Sequence, residues 1–514
     1  MKKNWVFFTI LLILSAFIGY SDELSRKSKN REIKLKDIYI YVEGIEGGPV
    51  VSKIIAEFPE KISSIEQESL WKVTTAGVER KIKDIYISDE KGTKVSRSEF
   101  ITFDLEISTI KNSFSYAASP FKYNTDILMN QWVSDYIVNI KGGNIKIGSN
   151  VFSVSELTKD AINNRIVPDA EMFSFRDAIS GEYMNPITKK MDTLKLHLAA
   201  YEPVQLKSGS KKPLIIWLHG QGEGGTDPDI AILGNEAAAL ARPEIQSYFT
   251  SGSNKEKGAF VLIVQSPTYW MDEGDSTNGN GSGISRYTQI LMKAIEDYIA
   301  VNPYVDKDRI YIGGDSNGGY MTMNMIIEYP AYFAAAYPIC EAYSYYEYEK
   351  NPDGTYRKRI ENLPGTSNFI LTDKLWFTPE KIEKIKNLPI WFINAANDPI
   401  VIPKNFSLPA YRALLKAGAK NAWYSYYEDV KGTDLPGLEY LGHFSWIYVL
   451  NNKVSGVQDT QRIINSEDKE TFGFVPSNIG NGGNKKAVFN GKEYNSLFAW
   501  MNDQIKNRSI ESVK

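Results

Sequence analysis

The stretch that decides the fold is Gly314-Asp315-Ser316-Asn317-Gly318, in which a serine has a glycine two residues away on each side. The run 309–312 before it predicts a strand, and the apolar run 321–327 after it predicts a packed helix. Glycines on both sides let the backbone turn sharply at Ser316 while the hydroxyl stays exposed. The stretch therefore predicts a nucleophile at a strand-to-helix turn, where the N–H of Asn317 is free to meet a developing oxyanion.

A serine nucleophile needs a base, and this choice is narrow because the chain has three histidines. Only His443 follows Ser316, and it lies in 441–446 beside a glycine that suits a tight loop. His197 is predicted to be a strand residue, whereas His219 belongs to a separate motif. Because a serine between glycines also occurs by chance, it is this pairing with His443 that favours nucleophilic catalysis.

The acid that orients the histidine should follow a strand between the serine and His443. The apolar run 388–394 predicts that strand, and Asp398 lies in the loop after it. An ordinary turn would explain the same residues. Glu428 and Asp429, after the next predicted strand, remain alternative acids.

A second glycine-rich stretch follows the apolar run 213–218 and reads His219-Gly220-Gln221-Gly222-Glu223-Gly224-Gly225. It satisfies neither the phosphate-binding nor the dinucleotide-binding glycine pattern. Together with the serine, acid and histidine stretches, at 313–321, 394–401 and 442–446, it carries a resemblance to the α/β-hydrolase superfamily over residues 173–507. Within it, the chain looks most like secreted esterases of the polyhydroxybutyrate-depolymerase-like and prolyl-oligopeptidase-like groups.

That resemblance implies a fold and a role for the glycine-rich loop. The expected fold is a central, mostly parallel sheet flanked by helices. The backbone N–H of Gln221 would form an oxyanion hole with that of Asn317, and His219 would orient the loop. Ser316, Asp398 and His443 would be the catalytic triad.

The N-terminal third of the chain has a different pattern. Short runs with alternating polarity, separated by turn residues, predict strands at 38–42, 71–74, 82–87, 100–107 and 136–140. They favour a β-sandwich, and residues 33–154 resemble the immunoglobulin-like domain that precedes the catalytic domain in some bacterial esterases. Such a domain would restrict the pocket or assist assembly into a homo-oligomer, or it would be a passive spacer.

Residues 1–21 have the pattern of a signal peptide. Lys2 and Lys3 precede an apolar run, 5–19, that is too short for a comfortable membrane span. We expect an exported protein, whether secreted, periplasmic or at the cell surface, without a permanent membrane span after cleavage.

Composition narrows the remaining classes. A net charge of −3 gives no electrostatic case for nucleic acid, and Cys340 is the only cysteine, so no disulfide forms within the chain. The predicted chemistry requires no metal and no organic cofactor. Trp270 and Tyr343 are the candidates for an aromatic substrate wall. The segments 341–386 and 451–495 are both candidates for a lid over the active site.

These residues predict a secreted serine carboxylic-ester hydrolase that works through an acyl-enzyme on short acyl or carbohydrate-linked esters. A serine peptidase of the prolyl-oligopeptidase-like type is the first alternative, although no propeller repeats precede the hydrolase region. A non-catalytic exported binding protein is the second.

Overall fold

The computed structural model describes residues 31–506 except 67, 112, 114, 204–210, 252–255 and 360–368. The expected signal peptide lies outside the described residues. The chain divides into two compact units. The first unit comprises Met1–Tyr41, Val51–Ser108 and Ser134–Ile166, and the second comprises Val42–Val50, Thr109–Val133 and Val167–Lys514.

The first unit is built from β-strands, as the alternating pattern predicts. In Asp37–Ile45 every second residue is buried, which is the period-two signature of a strand with one face on the core. Its strands, two of which extend into residues 42–50, are distributed over three sheets. In sheet order these are Arg165–Ile166, Asp37–Ile45, Gly48–Ile62, Ser98–Leu105 and Ile82–Ser88; Leu157–Asp160, Ile137–Lys141, Lys72–Thr75 and Val78–Arg80; and Arg31–Ile33, Asn150–Val154, Asn144–Ile147 and Ser64–Glu66. All five predicted strands are present.

The second unit is organised around one eight-stranded sheet. Its strands are β1 Phe175–Met184, β2 Met191–Tyr201, β3 Lys212–Leu218, β4 Phe260–Gln265, β5 Val305–Asp315, β6 Ala335–Ile339, β7 Ile390–Ala395 and β8 Ala422–Tyr427. The order across the sheet is β1-β2-β4-β3-β5-β6-β7-β8, and the strands from β4 to β8 pair in parallel, whereas β1–β2 and β2–β4 pair antiparallel. The predicted mostly parallel sheet is confirmed.

The central strands are mostly apolar because helices and loops cover the sheet. Every residue of β3, β4 and β7 is buried. The longer helices are α1 Thr288–Val301, α2 Asn317–Glu328 and α3 Ser407–Lys416, and the shorter ones are Pro168–Glu171, Pro228–Leu233, Pro243–Gln246, Pro379–Ile385, Trp446–Leu450, Thr460–Asn465 and Leu497–Asn502. No helix in the described ranges is both long and apolar enough to cross a bilayer.

Small two-stranded ribbons complete the second unit. They are Phe121–Asn124 with Met129–Trp132, Thr250–Ser251 with Glu256–Lys257, Tyr346–Tyr348 with Leu371–Leu375, Val430–Lys431 with Glu439–Tyr440, and Ala487–Phe489 with Lys492–Tyr494. We call the first of them the aromatic hairpin.

Parallel strands bring their carboxyl ends to one edge of the sheet, where ligands bind in open α/β folds. His219 directly follows β3, and Ser316 directly follows β5. Asp398 lies three residues beyond the end of β7, and His443 lies in the loop after β8. Cys340 follows β6, where it is fully buried.

Candidate active site

The backbone at Ser316 is strained, as expected for a nucleophile turn. Ser316 lies between β5 and α2 with φ 55° and ψ −111°, a region that residues other than glycine rarely adopt. A Cβ on Gly318 would lie 1.9 Å from the carbonyl oxygen of Leu218, and one on Gly314 would lie 2.1 Å from the same oxygen. Both glycines are needed because the turn packs directly against the end of β3.

The structure brings the three predicted triad residues into one hydrogen-bonded chain. The Oγ of Ser316 is 2.8 Å from Nε2 of His443, and Nδ1 of His443 is 2.8 Å from Oδ2 of Asp398. The second oxygen of Asp398 accepts the backbone N–H groups of Ile400, at 2.8 Å, and Val401, at 3.0 Å. The carboxylate is thereby held so that Nδ1 carries the imidazole proton and Nε2 faces the serine.

The alternative acids lie elsewhere. The N–H of Glu428 and the carboxylate of Asp429 both bind the side chain of Asn478. The hydrogen-bond partner of His443 is Asp398, so the structure does not bring Glu428 or Asp429 into the chain.

The loop that carries His443 is anchored by a residue from far earlier in the sequence. The carboxylate of Glu46, which is fully buried, accepts the N–H of Thr433 at 2.7 Å, the N–H of Asp434 at 2.9 Å and the hydroxyl of Tyr440 at 3.0 Å. Sequence reasoning missed this anchor, because nothing local marks one glutamate as the partner of a loop almost 390 residues away.

The predicted oxyanion donors face the same cavity. Gln221 begins the short 3₁₀ turn after β3, and Asn317 begins α2. Within the described residues, neither backbone N–H has an acceptor. Both residues line the cavity together with Ser316 and His443.

His219 fixes one of these donors through its side chain. Its Nε2 accepts the N–H of Ser266 at 3.1 Å, so Nδ1 carries the proton and donates to the carbonyl oxygen of Gly220 at 2.6 Å. That carbonyl belongs to the peptide group whose N–H is on Gln221, so the bond also sets the direction of this N–H. Burial lowers the pKa of His219 to about 4, which keeps the imidazole neutral.

Two buried carboxyl groups lie behind the glycine-rich loop. The Nδ2 of Asn235 donates to Glu223 at 3.0 Å and to Asp315 at 2.8 Å, and Asn130 donates to the other oxygen of Glu223 at 3.0 Å. Burial raises the pKa of Glu223 to about 7, and burial with the neighbouring Glu223 charge raises the pKa of Asp315 well above its usual value. The pair therefore retains a proton near neutral pH.

The cavity has a volume of about 930 Å³, and its lining residues all belong to the second unit. Ser316, His443 and the oxyanion residues form one part of its surface. Aromatic side chains from two stretches form another part: Tyr116, Phe121 and Tyr123 from residues 109–133, and Phe444 and Trp446 beside the histidine.

Trp270 and Tyr343, the residues predicted to form an aromatic substrate wall, are not among the described residues that line the cavity. Trp270 is fully buried, 5.2 Å from the ring of His219, and Tyr343 is buried against Tyr320, with ring centroids 5.5 Å apart. Among the described residues that line the cavity are their neighbours Met271 and Ala342, not these two rings. The alternating run Phe121-Lys122-Tyr123 was the available sequence signal for the observed wall.

The two candidate lid segments differ in their relation to the cavity. Ala342, Lys358 and Phe369, from the segment 341–386, line it. Of the described residues in 451–495, none does.

Comparisons with known proteins agree with this architecture. Residues 285–431 match the prolyl oligopeptidase family, and residues 37–152 match the esterase Ig-like N-terminal domain. A solved structure of a thermostable esterase aligns over 81% of this chain and 97% of its own, with a TM-score of 0.58 and 22% identity. Poly(3-hydroxyalkanoate) depolymerase C of Paucimonas lemoignei is 37% identical over 70 residues, which are 14% of this chain and 16% of the depolymerase.

The sheet order and the structural match agree on the fold: the chain has an α/β-hydrolase fold. Residues 37–152 match the esterase Ig-like N-terminal domain, so the resemblance seen in the sequence is confirmed. The chain spans only about a sixth of the length of the curated depolymerase that it matches.

Proposed function

We propose that the protein is an exported serine carboxylic-ester hydrolase. The observation that carries the proposal is the hydrogen-bonded chain Ser316–His443–Asp398, open to a cavity of about 930 Å³ beside two backbone N–H groups that have no acceptor in the described part of the chain. A nucleophile, a base, an orienting acid and oxyanion donors converging on one cavity are the parts that acyl transfer requires.

The reaction follows from the positions of these atoms. His443 accepts the hydroxyl proton of Ser316 at Nε2 while Oγ attacks the ester carbonyl, and Asp398 stabilises the imidazolium. The tetrahedral oxyanion is bound by the N–H groups of Gln221 and Asn317. The imidazolium then protonates the departing alcohol, leaving an acyl-serine. Water, deprotonated by the same imidazole, releases the acid and restores the serine.

The cavity supports an ester substrate that carries an aromatic or apolar group next to the scissile bond. The volume exceeds what a small acyl group needs, and it lies within the range of drug-sized ligand sites. We propose short acyl or carbohydrate-linked esters as the substrate class, since aromatic walls such as Tyr116 and Trp446 stack on apolar groups and on sugar faces. The depolymerase reported above acts, according to its name, on the polyester poly(3-hydroxyalkanoate).

A serine peptidase is the second candidate, favoured by the match of residues 285–431 to the prolyl oligopeptidase family. The same triad would serve amide hydrolysis. The non-catalytic binding protein is the third, and it requires that the three hydrogen-bonded side chains do no chemistry.

Hydrolysis of p-nitrophenyl esters from acetate to palmitate, with the Ser316→Ala variant and a proline-containing peptide anilide in parallel, tests the proposal. We expect ester cleavage that is lost in the variant, and its chain-length profile then sizes the acyl site. Cleavage of the anilide alone would favour the peptidase. If the folded protein cleaves neither the esters nor the anilide, the result would favour the binding protein.

Export belongs to the same proposal and rests on the N-terminal sequence pattern. Expression of the full chain followed by N-terminal sequencing of the extracytoplasmic product tests it. We expect the mature protein to begin near residue 22. A protein that stays in the cytoplasm and keeps residues 1–21 would contradict export.

A further inference from the structure

Four amide groups beside the cavity form one continuous chain. The N–H of Met271 donates to Oδ1 of Asn317 at 3.2 Å, and Nδ2 of Asn317 donates to Oδ1 of Asn278 at 2.7 Å. The Nδ2 of Asn278 donates in turn to Oε1 of Gln221. At the far end, Nε2 of Gln221 donates to the hydroxyl of Tyr123 at 3.3 Å.

The chain has a uniform direction. Each side-chain amide accepts through its oxygen from one neighbour and donates through its nitrogen to the next. Such an arrangement uses one donor and one acceptor of every amide, and aligned amides polarise and strengthen one another. Turning any single amide by 180° would place donor against donor, so the orientation of each member is fixed by the others.

Asn278 occupies the position between the two proposed oxyanion residues. It lies in the stretch 266–287, which contains neither helix nor strand. Gln221 begins the turn after β3 and Asn317 begins α2, so the two backbone donors come from different elements. The side-chain amide of Asn278 hydrogen-bonds to Gln221 on one side and to Asn317 on the other, so it links the two elements.

We propose that Asn278 is a positioning residue that holds the Gln221 and Asn317 backbone N–H groups at the separation a tetrahedral oxyanion needs. The proposal rests on the proposed function, since it takes these two groups as the oxyanion hole. Asn278 acts through the two side chains and does not itself transfer a proton. Its contribution belongs to the transition state, in which the carbonyl oxygen carries charge and demands two donors at once.

Steady-state kinetics of Asn278→Ala on p-nitrophenyl butyrate provides the first measurement, with Thr277→Ala as the matched control. Thr277 is the exposed neighbour of Asn278 and binds Asp275. Loss of a whole oxyanion donor costs about 10²- to 10³-fold in kcat, so displacement of two donors is expected to cost about 10- to 100-fold. KM should change by less than about threefold, because ground-state binding does not use the oxyanion geometry.

A second pair of variants, Gln221→Ala and the double variant with Asn278→Ala, separates positioning from direct substrate contact, and Gln221→Ala alone remains usable if Asn278→Ala folds poorly. Gln221→Ala keeps its backbone N–H but removes the side chain that Asn278 holds. We expect it to lower kcat as well, and the double variant to lose less than the product of the two single losses. If Asn278 instead touches the substrate independently, the two losses will multiply, and the proposal is overturned.

Labelling by an alkyl fluorophosphonate separates failure of this proposal from failure of the proposed function. The Oγ of Ser316 forms a bond to phosphorus, the P–F bond breaks, fluoride leaves, and the serine proton passes to His443. The phosphoryl oxygen needs the same two donors as the ester oxyanion. The labelling rate therefore reports on the oxyanion hole whatever the natural substrate is.

We expect at least tenfold slower labelling of Asn278→Ala, with the Thr277→Ala variant labelled at the wild-type rate. Normal labelling and normal kcat in Asn278→Ala overturn the positioning role. A wild-type protein that is labelled but hydrolyses no ester contradicts the proposed function while the effect of Asn278 stays measurable. A folded wild-type protein that is not labelled at all overturns both.

Discussion

At the scale of single residues, the carboxyl groups of Glu223 and Asp315 lie just behind the nucleophile turn. Both are almost completely buried, and Asn235 donates to each of them. Within the described residues, no lysine, arginine or histidine forms an ion pair with either. A buried pair of this kind is stable when at least one member is protonated and costly when both members are ionised.

The pH dependence of stability follows from that pair. In the unfolded chain both carboxyls ionise near pH 4, whereas in the folded protein the pKa of Glu223 is raised to about 7 and that of Asp315 is raised as well. The folded state thus binds more protons, so its stability falls as pH rises through this window, by about 1.4 kcal/mol per pH unit for each retained proton.

Asp315→Asn keeps the oxygen that accepts from Asn235 and removes one carboxyl. We therefore expect the free energy of unfolding of the variant, relative to wild type, to increase as pH rises from 5 to 8. Urea titrations of both proteins at four pH values across that range measure it. A difference independent of pH would show that the pair holds no extra proton.

At the scale of elements, the aromatic hairpin Phe121–Asn124 with Met129–Trp132 borders the glycine-rich loop. Trp132 donates to Asp227 at 2.8 Å, and the ring of Phe121 packs edge-on against Trp132 at 4.7 Å. Phe121 also lines the cavity. The hairpin thus contributes part of the cavity wall, and Phe121 is one of its rings there.

Phe121→Ala should lengthen the acyl chain that the cavity accepts. Each additional methylene that becomes buried contributes about 0.8 kcal/mol, or roughly fourfold in kcat/KM. We expect the optimum in the p-nitrophenyl ester series to shift by two or more carbons toward longer chains. Val488→Ala, at an exposed position of another ribbon, is the control and should leave the profile unchanged. An unchanged profile in Phe121→Ala would place the acyl group elsewhere in the cavity.

The elements differ in how well the sequence predicts them. The strand before Ser316, the helix after it and the acid strand are each recognisable because each is a largely apolar run of the length of its element. The aromatic hairpin offers only the short alternating run Phe121-Lys122-Tyr123, which is a weak signal because the hairpin packs against the glycine-rich loop and has no long apolar run of its own. The roles of Trp270 and Tyr343 were assigned from position along the chain, and one residue of displacement points a side chain into the core instead of the cavity.

At the scale of the whole molecule, the second unit is assembled from three separated parts of the chain, Val42–Val50, Thr109–Val133 and Val167–Lys514. The domain matches and glycine motifs follow from sequence, because each is local. The anchoring of the histidine loop by Glu46 does not, because it depends on a contact between residues 46 and 433–440 that only the complete fold creates.

Glu46→Ala tests how far this anchor supports the site. Removal of the carboxylate takes away the acceptor of the partly buried N–H groups of Thr433 and Asp434, at a cost of about 1 kcal/mol each. We expect a lower thermal midpoint and a kcat reduced about tenfold or more, since His443 follows this loop. Glu43→Ala, on the strand that ends one residue before Glu46, is the control. A variant with wild-type kcat would show that the loop holds its position without Glu46.

The buried cysteine at the end of β6 makes the protein convenient for labelling at one chosen site. Cys340 is the only cysteine of the chain and is completely buried, and burial raises the pKa of its thiol well above the usual value. It should resist maleimides and iodoacetamide while the protein is folded. A cysteine introduced at an exposed position such as Ile479 would then be the sole reactive thiol, so fluorophores or spin labels could be attached at one chosen point without first removing a native residue.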